Sequence, residues 1–171
     1  VNITSSLIEG LSDKEVEIVS SESNVSFLFL EMTITSRLVE GKYPNYNSVF
    51  PSNNTIEMSV DSKHMSSVLN RLLTVANPLI GLIKLESSMI DSTLSTADEF
   101  SNKSAKETID CGSNFGITIG FSGPQMIEIL SVINGNAILS FSVPERPILI
   151  KPEKDEDDCE LTLLSMPLIL R

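Results

Sequence analysis

Residues 36–51 read SRLVEGKYPNYNSVFP. The stretch closes a run of alternating apolar residues and then carries Tyr43, Pro44, Tyr46, Val49, Phe50 and Pro51 in close succession. Connecting segments are usually polar, because they run over the surface. A connector with this many large apolar groups is expected to have something packed on it. What lies on either side decides what that is.

Upstream, Ile3, Leu7, Ile8 and Leu11 recur on one side of a predicted helix at 2–11. Residues 15–21, 24–31 and 32–39 alternate with period two, as half-buried antiparallel strands do. Downstream, 55–60 reads as a strand, and Asp61 is a suitable N-cap for an amphipathic helix over 62–76, where Met65, Val68, Leu69, Leu72 and Val75 share a face. Pro78 follows, where a helix cannot continue. Residues 79–86, 89–97 and 105–111 read as three strands, with a polar turn at 98–104. The order then restarts. A strand at 115–121 leads to Ser122 as a cap, with Pro124 in the first turn of a helix at 123–133. Strands follow at 136–143, 146–152 and 159–166, with an acidic hairpin tip at 153–158 before the last.

Helix followed by three strands therefore occurs three times, and a strand leads each of the last two helices. The order of elements carries this signal, since the letters of the copies differ. The expected fold class is α+β: two β-α-β-β-β units in a row, antiparallel sheets outside and two helices packed together inside. The first 40 or so residues then read as the second half of a preceding domain.

A chain of 171 residues, 41% hydrophobic, has room for one ordinary domain, or for one domain and a piece of another. Aromatics make up 5% and Trp is absent, so the core must be built from Ile, Leu, Val and Met. A net charge of −11 argues against a generic nucleic-acid binder, which needs surplus Lys and Arg. It leaves room for a protein that gathers its few cations on one face. Cys111 and Cys159 lack paired spacing and read as reduced thiols, which suggests the cytosol. No apolar stretch approaches the roughly 20 residues that span a bilayer, and no leader-like segment opens the chain. Beginning on Val1, inside a helical pattern, the chain is expected to be a fragment.

With these elements in place, the chain resembles the bacterial sliding clamps, the beta subunits of DNA polymerase III. The connector is similar to the family's, which typically reads Ser-(Lys/Arg)-Leu-hydrophobic-(Asp/Glu)-Gly-x-aromatic-Pro-(Asp/Asn)-Tyr and ends in two hydrophobic residues and a proline. Arg71 sits where the family commonly has an arginine before a short apolar run. The ending LLSMPLILR resembles the family's hydrophobic-x-Met-Pro-hydrophobic tail. The resemblance implies the DNA-clamp fold, with 1–43 the end of a middle domain, 44–50 the connector and 51–171 the third domain.

It also implies function. Such proteins are processivity factors, two copies closing a ring around double-stranded DNA. Connector and tail line a hydrophobic groove that accepts a short peptide from the polymerase III alpha subunit, the clamp loader or repair proteins. Carried over, Pro44, Val49, Leu164 and Met166 look like the walls of the deeper pocket. Pro167 and Leu168 look like part of its shallower neighbour, and Pro147 would lie near the rim. Lys42, Lys63, His64 and Arg71 would face DNA, and Thr74 and Val75 would sit where relatives close the ring. The family often has Phe-Asn, then a tyrosine three residues on, where this chain has Phe121-Ser122 and Gln125. The wall that relatives supply as Gly-His-Arg-Leu would lie upstream of Val1. Without a first domain the fragment is expected to be monomeric or to form a non-native pair.

Other chemistry finds little support. His64 is the one histidine, so no multi-histidine metal site can form. No GxSxG nucleophile elbow occurs, nor a glycine-rich phosphate loop. The acidic run at 153–160 lacks the spacing and fixed glycine of a calcium loop. The expectation is a non-catalytic cytoplasmic, nucleoid-associated scaffold with no cofactor, a subunit of a DNA-directed DNA polymerase. Its rivals are a stand-alone peptide-binding adaptor and, further off, a small acidic α+β enzyme.

Overall fold

The computed structural model describes residues 16–29, 32–43, 45–98, 100–154 and 160–170. The predicted helix at 2–11, Pro44, Cys159, acidic residues 155–158 and Arg171 lie outside the described residues. Two compact units divide the chain, Val1–Pro44 and Asn45–Arg171.

In the first unit, β1 (Glu17–Ser20), β2 (Asn24–Phe29) and β3 (Met32–Arg37) form an antiparallel meander in that order. Ser26 and Thr35 face each other across β2 and β3 and join hydroxyls at 2.9 Å, the kind of cross-strand pair that fixes register.

The second unit opens with a 3-10 turn at Tyr46–Ser48. Then come β4 (Ile56–Asp61), α1 (Ser62–Leu73), β5 (Leu82–Ser87), β6 (Ser92–Asp98) and β7 (Lys103–Ile109). The order repeats as β8 (Ile117–Ser122), α2 (Gly123–Ser131), β9 (Asn136–Phe141), β10 (Ile148–Pro152) and β11 (Leu163–Ser165). All pairings are antiparallel, and the two sheets run β11-β10-β9-β4 and β7-β6-β5-β8. Each sheet thus takes its leading strand from the other repeat. β4 pairs with β9, from Ile56↔Phe141 to Asp61↔Asn136, and β8 pairs with β5, from Leu82↔Ser122 to Ser87↔Ile117.

Alternation explains the inner faces. On β4, Ile56, Met58 and Val60 are buried and the residues between them exposed. α1 buries Met65, Val68, Leu69 and Leu72, and α2 buries Met126 and Leu130. These join Ile83, Leu85, Leu94, Ile119, Phe121, Leu139, Phe141 and Ile150 in one core, and the helices pack on each other. Caps set where the helices begin. The Asp61 carboxylate accepts from the His64 main-chain N–H at 2.6 Å, and the Ser122 hydroxyl accepts from that of Gln125 at 3.4 Å. Asp61→Ala is expected to cost about 0.5–2 kcal/mol in urea unfolding, the usual worth of an N-cap.

The predicted strand beginning at 79 starts instead at Leu82. Pro78 is followed by a turn through Leu79 and Ile80, closed by Gly81 N–H donating to Asn77 O at 2.8 Å, with Gly81 at φ +59°. The predicted strand beginning at 89 starts at Ser92. Met89 and Ile90 occupy the hairpin tip, where the Ser88 hydroxyl donates to the Asp91 carboxylate at 2.9 Å and shapes the turn.

Candidate functional site

The end of the chain is built by three attachments. β11 pairs with β10, Leu149 opposite Leu164 and Ile148 opposite Ser165, and Pro147 and Met166 are each the next residue past the ladder. Beyond Pro167 the chain crosses to the other sheet. Leu168 forms an isolated bridge with Gly120 on β8 and donates its N–H to Gly120 O at 2.7 Å. Between these, the Ser165 hydroxyl, fully buried, bonds the Gln125 side-chain oxygen of α2 at 3.2 Å. The last residues therefore complete the edges of both sheets.

Gly120 makes the crossing possible. A Cβ there would stand 2.6 Å from the Leu168 carbonyl oxygen and 2.8 Å from Leu170 Cδ2. An isolated glycine inside a strand signals close approach of another backbone, and that signal was present in the sequence at 117–121.

On this fixed backbone the apolar groups stay partly open. Met166 is 53% exposed, and Leu164, Pro167, Leu168 and Pro147 are half-buried. Four of these five lie on the tail and Pro147 lies just before β10. Val49, 47% exposed, ends the 3-10 turn, where Tyr46 and Phe50 stack edge to face at 6.2 Å. The chain after that turn is tied to the same region by Asn54, whose amide donates to Ser140 O at 2.8 Å and Pro147 O at 3.4 Å. Pro44, the remaining predicted wall, is outside the described residues.

The second surface is the paired helices. A groove of about 660 Å³ runs between them, lined by residues that include Lys63, Asn70, Arg71, Thr74, Ile127 and Asn134. Lys63 and His64 are exposed on the first turn of α1. Lys42 is exposed in the first unit. Thr74 is exposed and Val75 half-buried just past α1, and their N–H groups bond Arg71 O and Leu72 O to close the last turn.

Arg71 is already engaged. Its Nε and Nη2 donate to the two Glu107 carboxylate oxygens at 3.0 and 2.6 Å, and its Nη1 donates to Ser67 Oγ at 2.8 Å. Fork-to-fork pairing of this kind is the strong form of a surface ion pair. Glu107 lies on β7, far along the chain, and nothing in the local sequence marks it. The Arg71 hydrogen bonds hold the Glu107 carboxyl below its ordinary range, and Glu107 in turn raises Arg71.

The sign follows. A carboxyl lowered by folding contributes its pairing above the unfolded value of about 4.3, and that contribution is lost as pH falls through the lowered folded value. NMR titration of the Glu107 carboxyl carbon is expected to give a midpoint below about 4.3. In Arg71→Ala the midpoint should return toward the ordinary value.

Among the described residues no group of three or more His, Cys, Asp or Glu is placed to hold a metal ion. No helix among them is long and apolar enough to cross a membrane. Cys111 is a free, half-buried thiol whose pKa burial raises, the reverse of an activated nucleophile.

Residues 47–167 match the family described as DNA polymerase III beta subunit, C-terminal domain. The Beta sliding clamp of Rickettsia bellii is 27% identical over 159 residues, which cover 85% of this chain and 42% of that protein. That of Bacillus subtilis is 28% identical over 152 residues, 86% of this chain and 40% of that protein. The solved DNA polymerase III subunit beta of Pseudomonas aeruginosa superposes with a TM-score of 0.82 at 26% identity, covering 92% of this chain and 43% of that one. The chain spans less than half the length of the relatives it matches.

Proposed function

Because this chain belongs to the DNA polymerase III beta subunit family through its C-terminal domain, we propose that it forms the C-terminal portion of a bacterial sliding clamp. In this reading the whole protein is a non-catalytic processivity factor of the cytoplasm. It encircles double-stranded DNA as a homodimeric ring and tethers the polymerase III alpha subunit, the clamp loader and repair proteins. Residues 1–43 are the end of the middle domain, 44–50 the connector and 51–171 the third domain.

The observation that carries the reading is the tail: apolar side chains left open on a backbone clamped at both ends. Met166 stands 53% exposed between a β11 ladder and the Leu168–Gly120 bridge. A leucine or phenylalanine side chain of a visiting peptide gains roughly 1.5–3 kcal/mol by burial there. Little ordering of the groove opposes that gain, since the receptor backbone is already fixed.

DNA contact in this reading is weak and independent of sequence. Topological linkage keeps a ring on the duplex, so few phosphate contacts suffice. The engagement of Arg71 by Glu107 thins the cationic lining of α1 further, to Lys63. That observation favours a second reading, a peptide-binding adaptor that encircles nothing.

Both readings require peptide capture. A fluorescein-labelled Gln-x-x-Leu-Phe peptide titrated with the protein is expected to give saturable anisotropy, reversed by unlabelled peptide. No saturable binding up to millimolar protein would remove both. Retention on nicked circular but not linear DNA, measured on the full ring, separates clamp from adaptor.

A further inference from the structure

Resting on the peptide-groove reading, we propose that Gln125 is a specificity-determining residue, whose side-chain NH2 group donates to an uncharged carbonyl of the bound peptide beside Met166. Gln125 lies in the first turn of α2, and its main-chain N–H is held by the Ser122 cap. Its side-chain oxygen accepts from the Ser165 hydroxyl at 3.2 Å. Ser165 is fully buried, so this bond satisfies a hydroxyl that water does not reach.

The consequence is an orientation. A carboxamide carries its oxygen and nitrogen on one trigonal carbon. Once the oxygen is turned inward to Ser165, the nitrogen is turned away from it. Gln125 as a residue is exposed, its side chain meets the tail residue that precedes Met166, and its two N–H donors have no hydrogen-bond partner among the described residues. The groove otherwise offers aliphatic and thioether groups, which hold an apolar side chain but say nothing about the direction or register of the peptide backbone. A fixed pair of donors at the rim supplies both.

The acceptor is an amide carbonyl because every extended peptide presents one, on its main chain or on an amide side chain.

Anisotropy with a fluorescein-labelled Gln-x-x-Leu-Phe peptide tests this. Gln125→Glu keeps an oxygen for Ser165 but replaces both donors by an acceptor. It is expected to lower affinity at least tenfold with the melting temperature unchanged. Gln125→Ala should lower it about fivefold. A set of peptides in which each amide in turn is replaced by an ester, a poorer acceptor, then locates the contact. One ester should weaken binding to the native protein about threefold or more and leave binding to Gln125→Ala unaffected.

If Gln125→Glu binds like the native protein while Met166→Ala binds more weakly, the donor role is overturned and the groove stands. An ester series with no coupling to Gln125 also overturns it. If Met166→Ala binds normally as well, the groove reading itself has failed.

Discussion

A side chain at Gly120 is expected to strip the end of the chain from the domain. In Gly120→Val, the new atoms occupy the space of the Leu168 carbonyl and the Leu170 side chain, 2.6 and 2.8 Å from where the Cβ must be. The Leu168 carbonyl is backbone and cannot rotate aside, so the isolated bridge is the part that yields. Overpacking of this kind costs about 1–3 kcal/mol. The core residues of β8, Ile119 and Phe121, remain buried by β5 and the helices, so the variant should still fold. Two signatures are expected together: loss of amide-exchange protection at Leu168, and a fall of more than tenfold in affinity for the Gln-x-x-Leu-Phe peptide. An exchange-protected Leu168 in Gly120→Val would mean that the tail is not held as described.

Truncating the proposed groove should act on binding without a matching loss of stability. Met166→Ala and Leu164→Ala are each expected to weaken the peptide by about 1–3 kcal/mol, the range of buried interface anchors, which is roughly five- to 150-fold. Met166 gives the cleaner case. It is 53% exposed in the free protein, and substitutions at such positions usually change stability by less than about 0.5 kcal/mol. A large binding loss against a flat urea midpoint would therefore belong to the complex. Leu164 is half-buried and will lose some stability too, so its binding data need the unfolding curve beside them. Equal affinity in both variants would leave the tail without a role in peptide capture.

Much of the fold was legible because two periodicities carry it. The strands at 56–61 and 136–141 and the helix at 62–73 follow directly from spacings of two and of three to four. The reading went astray where apolar residues serve turns. Leu79, Ile80, Met89 and Ile90 are 57–93% exposed, and hydropathy extended the strands into them. Pro78, Gly81 and the Ser88–Asp91 pair decide those stretches, through backbone geometry that a hydropathy pattern does not register.

The candidate site shows where letters stop. The apolar tail could be named from its letters, but what holds it could not, because the holding groups are far apart in sequence. Gly120 meets Leu168 and Ser165 meets Gln125, just as Arg71 on the helix face meets Glu107. Of these, only the glycine left a mark, as a residue without a side chain inside an otherwise bulky strand. The exchange of leading strands was equally invisible, since either repeat could have paired its own.

That exchange makes the second unit indivisible. A repeat translated or excised alone would expose the flank of one sheet and carry a spare strand with nowhere to dock. Closing the β4–β9 pair requires segments on opposite sides of the intervening repeat to find each other, an entropic toll on the chain that slows assembly. Once closed, neither half can let go without undoing its neighbour. Gradual fraying gives way to a single concerted transition, and whatever the last-laid strand presents is only as durable as the whole.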